Sequence, residues 1–72
     1  KIAIDPNPAE SIIHIANLAD EDYEVKITNI LSKMILQKKN QNAIDISNLH
    51  KGIYFITVKQ GHKIQTQKLI KN

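Results

Sequence analysis

Apolar residues recur along this chain mainly at alternate positions, and isoleucine supplies most of them. A period of two puts one set of side chains on each face of an extended strand, and β-branched residues suit that pleated surface. Ile2 and Ile4 begin such a run. Asp5-Pro6-Asn7-Pro8 stops it, because each proline lacks an amide hydrogen and drives its predecessor to extended backbone. Tyr23, Val25 and Ile27 alternate with Glu24, Lys26 and Thr28, which predicts a half-buried strand. Ala43–Ser47 reads as a short strand with Ile44 and Ile46 inward. From Gly52 to Lys59, Tyr54, Ile56 and Val58 share one face. The start of that run is apolar on both faces, as in a central strand covered on both sides. Gln60-Gly61-His62 predicts a turn, since glycine reaches positive φ at little cost. Lys63–Lys71 is the last strand; its period slips between Ile64–Gln65 and Leu69–Ile70, which predicts a bulge.

Two stretches admit both periods. Ser11–Ala16 fits a strand with Ile13 and Ile15 on one face. It also fits a helix with Asn7 as cap, Pro8 at the first position, Glu10 three residues after the cap, and an Ile12, Ile15, Ala16, Ala19 stripe. Likewise Ile27, Ile30, Leu31, Met34 and Ile35 have helical spacing, yet fit a strand, a turn over Asn29–Ser32 and a second strand at Lys33–Gln37. If both are strands, the chain has about seven short strands with frequent turns, the pattern of an all-β sandwich.

Length limits the rest. A chain of 72 residues and 8.2 kDa makes one domain, residues 1–72, and buries only about 60% of its unfolded surface. There is no cysteine, so the aliphatic core must hold the fold without disulfides. No apolar run approaches a membrane span, so stable membrane insertion is not expected. The chain begins at Lys1 without methionine, which points to a piece of a longer protein. Charge is uneven. Residues 1–32 hold two lysines against six acids, whereas residues 33–72 hold eight lysines against one acid. The lysine-rich half either draws an anionic partner or is a solvated surface that guards edge strands.

Four segments carry a resemblance when taken in order: "DPNPAESIIHI", "YEVKITNILSKMILQ", "AIDISNLHKGIYFITV" and "TQKLIKN". Together they resemble the type A C-terminal sorting domain of the type IX secretion system of Bacteroidetes, over nearly the whole chain. Three positions depart from that pattern: Asp5 replaces an aromatic, Asn72 follows the last lysine, and Ser32 stands where the family usually has glycine. If that position needs positive φ, Ser32 carries strain of about 1 kcal/mol. The resemblance favours strands at both ambiguous stretches and implies an Ig-like antiparallel sandwich. It implies a structural role for Pro6, Asn7, Pro8, Asn29, Leu49, Gly52 and Tyr54, with the Tyr54 hydroxyl bonded to backbone as at the tyrosine corner of sandwiches.

The implied function is addressing. Cargo is covalently attached on the N-terminal side, the outer-membrane translocon recognises the domain, and a sortase then usually removes it. The cargo ends up secreted or at the cell surface. The implied recognition residues are Lys68, Leu69, Ile70 and Lys71, with lysine charge and apolar contacts side by side. An exposed terminal strand can also add to a partner sheet by main-chain bonding, and the same edge could pair two copies as a dimer.

Other functions find less support. A carbohydrate- or surface-binding module needs exposed planar aromatics. There is no tryptophan, and with Tyr54 and Phe55 assigned to a core strand only Tyr23 remains. Nucleic-acid binding fits the pI of 9.3, but every basic residue is lysine, and arginine is the usual reader of guanine. Asp5, Asn7 and Asp20–Asp22 lack calcium-loop spacing, and His14, His50 and His62 lack zinc-ligand spacing, so no metal or other cofactor is expected. Ser11, Ser32 and Ser47 have no nucleophile-elbow context, which leaves no basis for an enzyme.

Overall fold

The computed structural model describes residues 1–72 and contains seven strands: β1 (Ala3–Asp5), β2 (Ile12–Ala16), β3 (Glu24–Asn29), β4 (Met34–Lys39), β5 (Ala43–Asp45), β6 (Gly52–Gln60) and β7 (Lys63–Lys71). Both stretches with helical spacing are strands. Ile13 and Ile15 alternate inward with exposed neighbours in β2, and the Ile27–Ile35 region is a hairpin. No helix is present, and therefore none long and apolar enough to cross a membrane.

The strands form two antiparallel sheets in the orders β1-β2-β5 and β4-β3-β6-β7. This is the Ig-like arrangement, with β1, β2 and β5 in the places of strands A, B and E. Strands β3, β6 and β7 take the places of C, F and G, and β4 is added beside β3. Register places isoleucine against isoleucine across the smaller sheet, Ile4 opposite Ile15 and Ile13 opposite Ile44. In the larger sheet, Val25 faces Val58, Ile27 faces Ile56 and Tyr54 faces Leu69. These residues, with Ile2, Ala9 and Ile46, form one buried cluster between the sheets, against which Leu18, Tyr23, Leu36 and Leu49 pack. Burying one such aliphatic side chain contributes about 1.5–3 kcal/mol. The core therefore rests on few residues, and each matters.

Two sequence expectations change here. The predicted bulge in β7 does not form: β6 and β7 pair without interruption from Gly52 opposite Lys71 to Gln60 opposite Lys63. The period only looked broken because Gln65 and Gln67 lie on the inward side. Gln65 Nε2 donates to the Ile2 carbonyl at 2.7 Å, which removes the cost of placing a polar head there. The bulge lies instead in β4, where Ile27 pairs with Leu36 but Thr28 pairs with Met34, leaving Ile35 as the extra residue. The second change concerns β6. It is central within its sheet, yet only one face is covered, and Phe55 is 38% and Ile53 45% exposed on the other.

Buried Gln60 anchors the crossover from β2 to β3. Its Oε1 accepts the Ala19 N–H at 3.0 Å, and its Nε2 donates to the carbonyls of Ala19 and Glu21 at 2.9 and 2.8 Å. One side chain thereby satisfies three backbone groups of a loop that has no ladder of its own.

Candidate functional site

β7 is an outer strand with β6 on one side only. In an antiparallel ladder, successive residues turn their N–H and C=O groups alternately to either side. The segment around Asn7 covers the outer side at the C-terminal end of β7. Asn7 Nδ2 donates to the Lys68 carbonyl at 2.7 Å, and Asn7 Oδ1 accepts the Ile70 N–H at 3.0 Å. The Ala9 N–H donates to the Ile70 carbonyl at 2.8 Å, and the Asn72 N–H donates to the Ala9 carbonyl at 2.9 Å. Ala9 is fully buried and bridges Lys71 in parallel. The local sequence explains this clasp. Pro6 and Pro8 cannot donate to a ladder, so the Asn7 side-chain amide, which carries one donor and one acceptor, takes the part of a peptide group.

The clasp changes what the end of the chain can offer. The backbone edge from the Lys68 carbonyl to the Asn72 N–H is occupied, so strand addition expected at the terminal residues has no free groups there. Side chains divide by the pleat. Leu69 is fully buried in the core, and Lys71 is only 9% exposed, its stem covered and its Nζ donating to the Asn72 carbonyl at 3.0 Å. Lys68 is exposed and Ile70 half-buried on the outer face. Of the four residues singled out in the sequence, Lys68 and Ile70 can touch a partner directly, while Leu69 and Lys71 hold the strand in place.

Register brings further residues beside that pair, and these the sequence reading missed. Phe55 faces Lys68, Ile53 faces Ile70, Thr28 lies beyond Phe55 and Met34 beyond Thr28. The result is an apolar field at one end of the outer face with Lys68 within it. Assigning Phe55 to the core strand was correct about the strand and wrong about the side. Toward the other end the same face turns polar and charged, with Lys26, Thr57, Lys59 and Thr66. Thr57 and Thr66 share a side-chain hydrogen bond of 2.9 Å.

The remaining motif residues build corners. Asn29 Oδ1 accepts the N–H groups of Leu31 and Lys33 at 2.9 and 3.0 Å, closing the β3–β4 turn. Ser32 follows with φ of 65°, the left-handed position that glycine takes without strain in a three-residue hairpin loop. Gly52 has φ of 150°, which disfavours any side chain although the space around it is open. Tyr54, near the start of β6, donates its hydroxyl to the His50 carbonyl at 2.8 Å, the tyrosine-corner bond. Half-buried Leu49 packs beneath that corner loop, and its N–H donates to the Ile46 carbonyl at 3.0 Å.

Two ionisable groups are shifted. The Asp45 carboxyl lies below its ordinary range because Ser47 donates to it from its side chain and from its backbone. Partial burial raises the Tyr23 phenol. Neither group lies in the apolar field beside Lys68. At the opposite end, the Asp22 carboxylate accepts from Asn40 Nδ2 at 3.2 Å.

No curated protein matches the chain. The family described as the secretion system C-terminal sorting domain matches residues 3–72, which takes in the Asn7 clasp, the Asn29 turn, the Tyr54 corner and the last strand. The chain therefore belongs to the C-terminal sorting domains of type IX secretion.

Proposed function

We propose that the domain, residues 1–72, is read by the outer-membrane type IX translocon as the address of a cargo attached on its N-terminal side, and that a sortase then removes it. Membership of the family implies a type IX sorting signal and a secreted or cell-surface cargo. The family is not known for catalysis. The observation that carries the reading is the outer face at the C-terminal end, where Lys68 and Ile70 stand beside Phe55 and Ile53 on a strand that Asn7 and Ala9 pin down. A rigid strand lowers the ordering cost of recognition. Apolar contact supplies affinity, and a lysine within it supplies orientation.

Deleting Lys68–Asn72 is a poor test, because it removes core Leu69 along with the surface. Surface variants separate recognition from folding. A reporter with an N-terminal signal, fused ahead of this domain and expressed in a type IX host, is expected in the medium. Lys68→Glu and Phe55→Ser are each expected to leave it in the periplasm while the purified domain keeps its β-sheet circular dichroism. Full export of both folded variants would move the address elsewhere on the molecule.

A further inference from the structure

The Asn7–Ala9 clasp covers only the C-terminal half of the outer edge of β7. In the other half, Ile64 and Thr66 point both N–H and C=O away from β6, and Lys68 points its N–H there. This follows from the alternation that sends the Lys68 carbonyl and both Ile70 groups to the clasp. No strand and no side chain meets these groups. β7 is in continuous register at that point, whereas the other edge of the sheet, β4, is interrupted by its bulge at Ile35. Bulges and short strands protect an edge, and the first half of β7 has neither protection.

The edge also has a place for side chains. A cleft of about 670 Å³ opens beside it, lined by the apolar Ile2, Leu18, Ala19 and Ile64 and by polar groups that include Lys1 and Lys63. A strand added along Ile64–Lys68 would point alternate residues into this cleft and the others out beside the lysines. Small or aliphatic residues suit the inward positions.

Charge selects the occupant. β7 carries Lys63, Lys68 and Lys71 and no acid, and β4 carries Lys38 and Lys39 and no acid. Lys59 lies opposite Ile64 on the same outer face, and His62 lies in the adjoining turn. Two acids lie close by: Glu24 faces Lys59 across β3 and β6, and Glu21 Oε1 comes near Gly61 in the turn before Lys63, so the lysines of β7 itself dominate the charge along the edge. A second copy would bring another lysine-rich edge without a single acid, whereas an acidic strand complements this one in charge. We infer that the open edge at Ile64–Lys68 is a docking site for an extended acidic segment of a partner protein, added as a fifth strand with its aliphatic residues in the cleft. The inference is independent of the export reading, and its test uses no secretion.

The test is amide hydrogen exchange followed by NMR on this chain with a blocked Asp-Val-Asp-Val-Asp-Val peptide. Addition of the peptide is expected to slow exchange at the Ile64, Thr66 and Lys68 amides about tenfold or more, and a Lys-Val peptide of the same length is not. Thr66→Pro is expected to abolish the effect at Ile64 and Lys68, since it deletes an edge-facing N–H, along with the exposed hydroxyl bond to Thr57, and edge strands tolerate proline. If that variant does not fold, Lys63→Glu with Lys59→Glu is expected to weaken the acidic peptide about tenfold, as reversal of nearby charge requires. The inference is overturned if saturating acidic peptide leaves those amides unchanged, if the lysine peptide acts equally, or if the charge reversal has no effect. It is also overturned if the same amides become protected without peptide as protein concentration rises, the sign of self-pairing.

Discussion

Asn7→Ala tests the clasp with the smallest change. It removes the bond to the Lys68 carbonyl and the bond from the Ile70 N–H, and leaves both Ala9 bonds in place. Asn7 is exposed, so water reaches the two freed backbone groups and only the net worth of each bond is lost. At about 0.5–1 kcal/mol each for solvated partners, the loss is about 1–2 kcal/mol. A domain of this length has about 4–11 kcal/mol to lose. With a urea slope of about 1 kcal/mol per molar at this size, the midpoint falls by about 1–2 M at an unchanged slope. The thermal midpoint falls by about 5–15 °C. Exchange of the Ile70 amide accelerates beyond the global change, because that N–H loses its only acceptor. A midpoint shift below about 0.3 M, with Ile70 exchange no faster than in the parent, would show that the asparagine merely rests against β7.

Tyr54→Phe is expected to lose about 1–2 kcal/mol, because the His50 carbonyl is left without its part-buried donor. Tyr54→Ala is expected to lose about 3–5 kcal/mol with the ring; urea titration of both variants separates the corner bond from the packing, and a loss below about 1 kcal/mol for alanine would take the ring out of the core. Ser32→Gly relieves a left-handed residue and is expected to stabilise by about 0.5–1 kcal/mol, after allowing for the freer unfolded chain; a lower thermal midpoint would contradict the strain. Asp45 has a depressed carboxyl pKa, so its contribution is complete above the unfolded value near 3.9 and is lost as pH falls through the lower folded value. Asp45→Asn is therefore expected to flatten the acid side of a stability–pH profile below about pH 4, and an unchanged acid limb would remove the Ser47 contacts from the account.

Strands with strict alternation were legible in their inward faces. In β3 and β6 the buried positions are those that the period of two marks, and "GIYF" located the tyrosine corner because a glycine bend before a tyrosine is a local signal. The ambiguous hairpin at Asn29–Lys33 turned on a single residue: Ser32 takes positive φ, which a helix forbids. The last strand was legible as a strand but not in its faces. Gln65 and Gln67 point inward, and the partner that satisfies Gln65 is the carbonyl of Ile2, 63 residues away. Phe55 deceived for the opposite reason, since hydrophobicity cannot say which face of a central strand a second layer covers. The clasp was invisible as an interaction, though "PNP" was noted, because its geometry exists only after both ends of the chain meet.

That meeting has a consequence for how the domain completes its fold. Asn7 reaches β7 across 61 and 63 residues, so the chain must close nearly its whole length before the clasp can form. A polypeptide delivered amino end first holds an unfinished sandwich until Lys68–Asn72 arrive. A copy cut before Leu69 has a hole in the core where that side chain belongs. Because both ends of the domain meet in one clasp, trimming either of them undoes the same contacts.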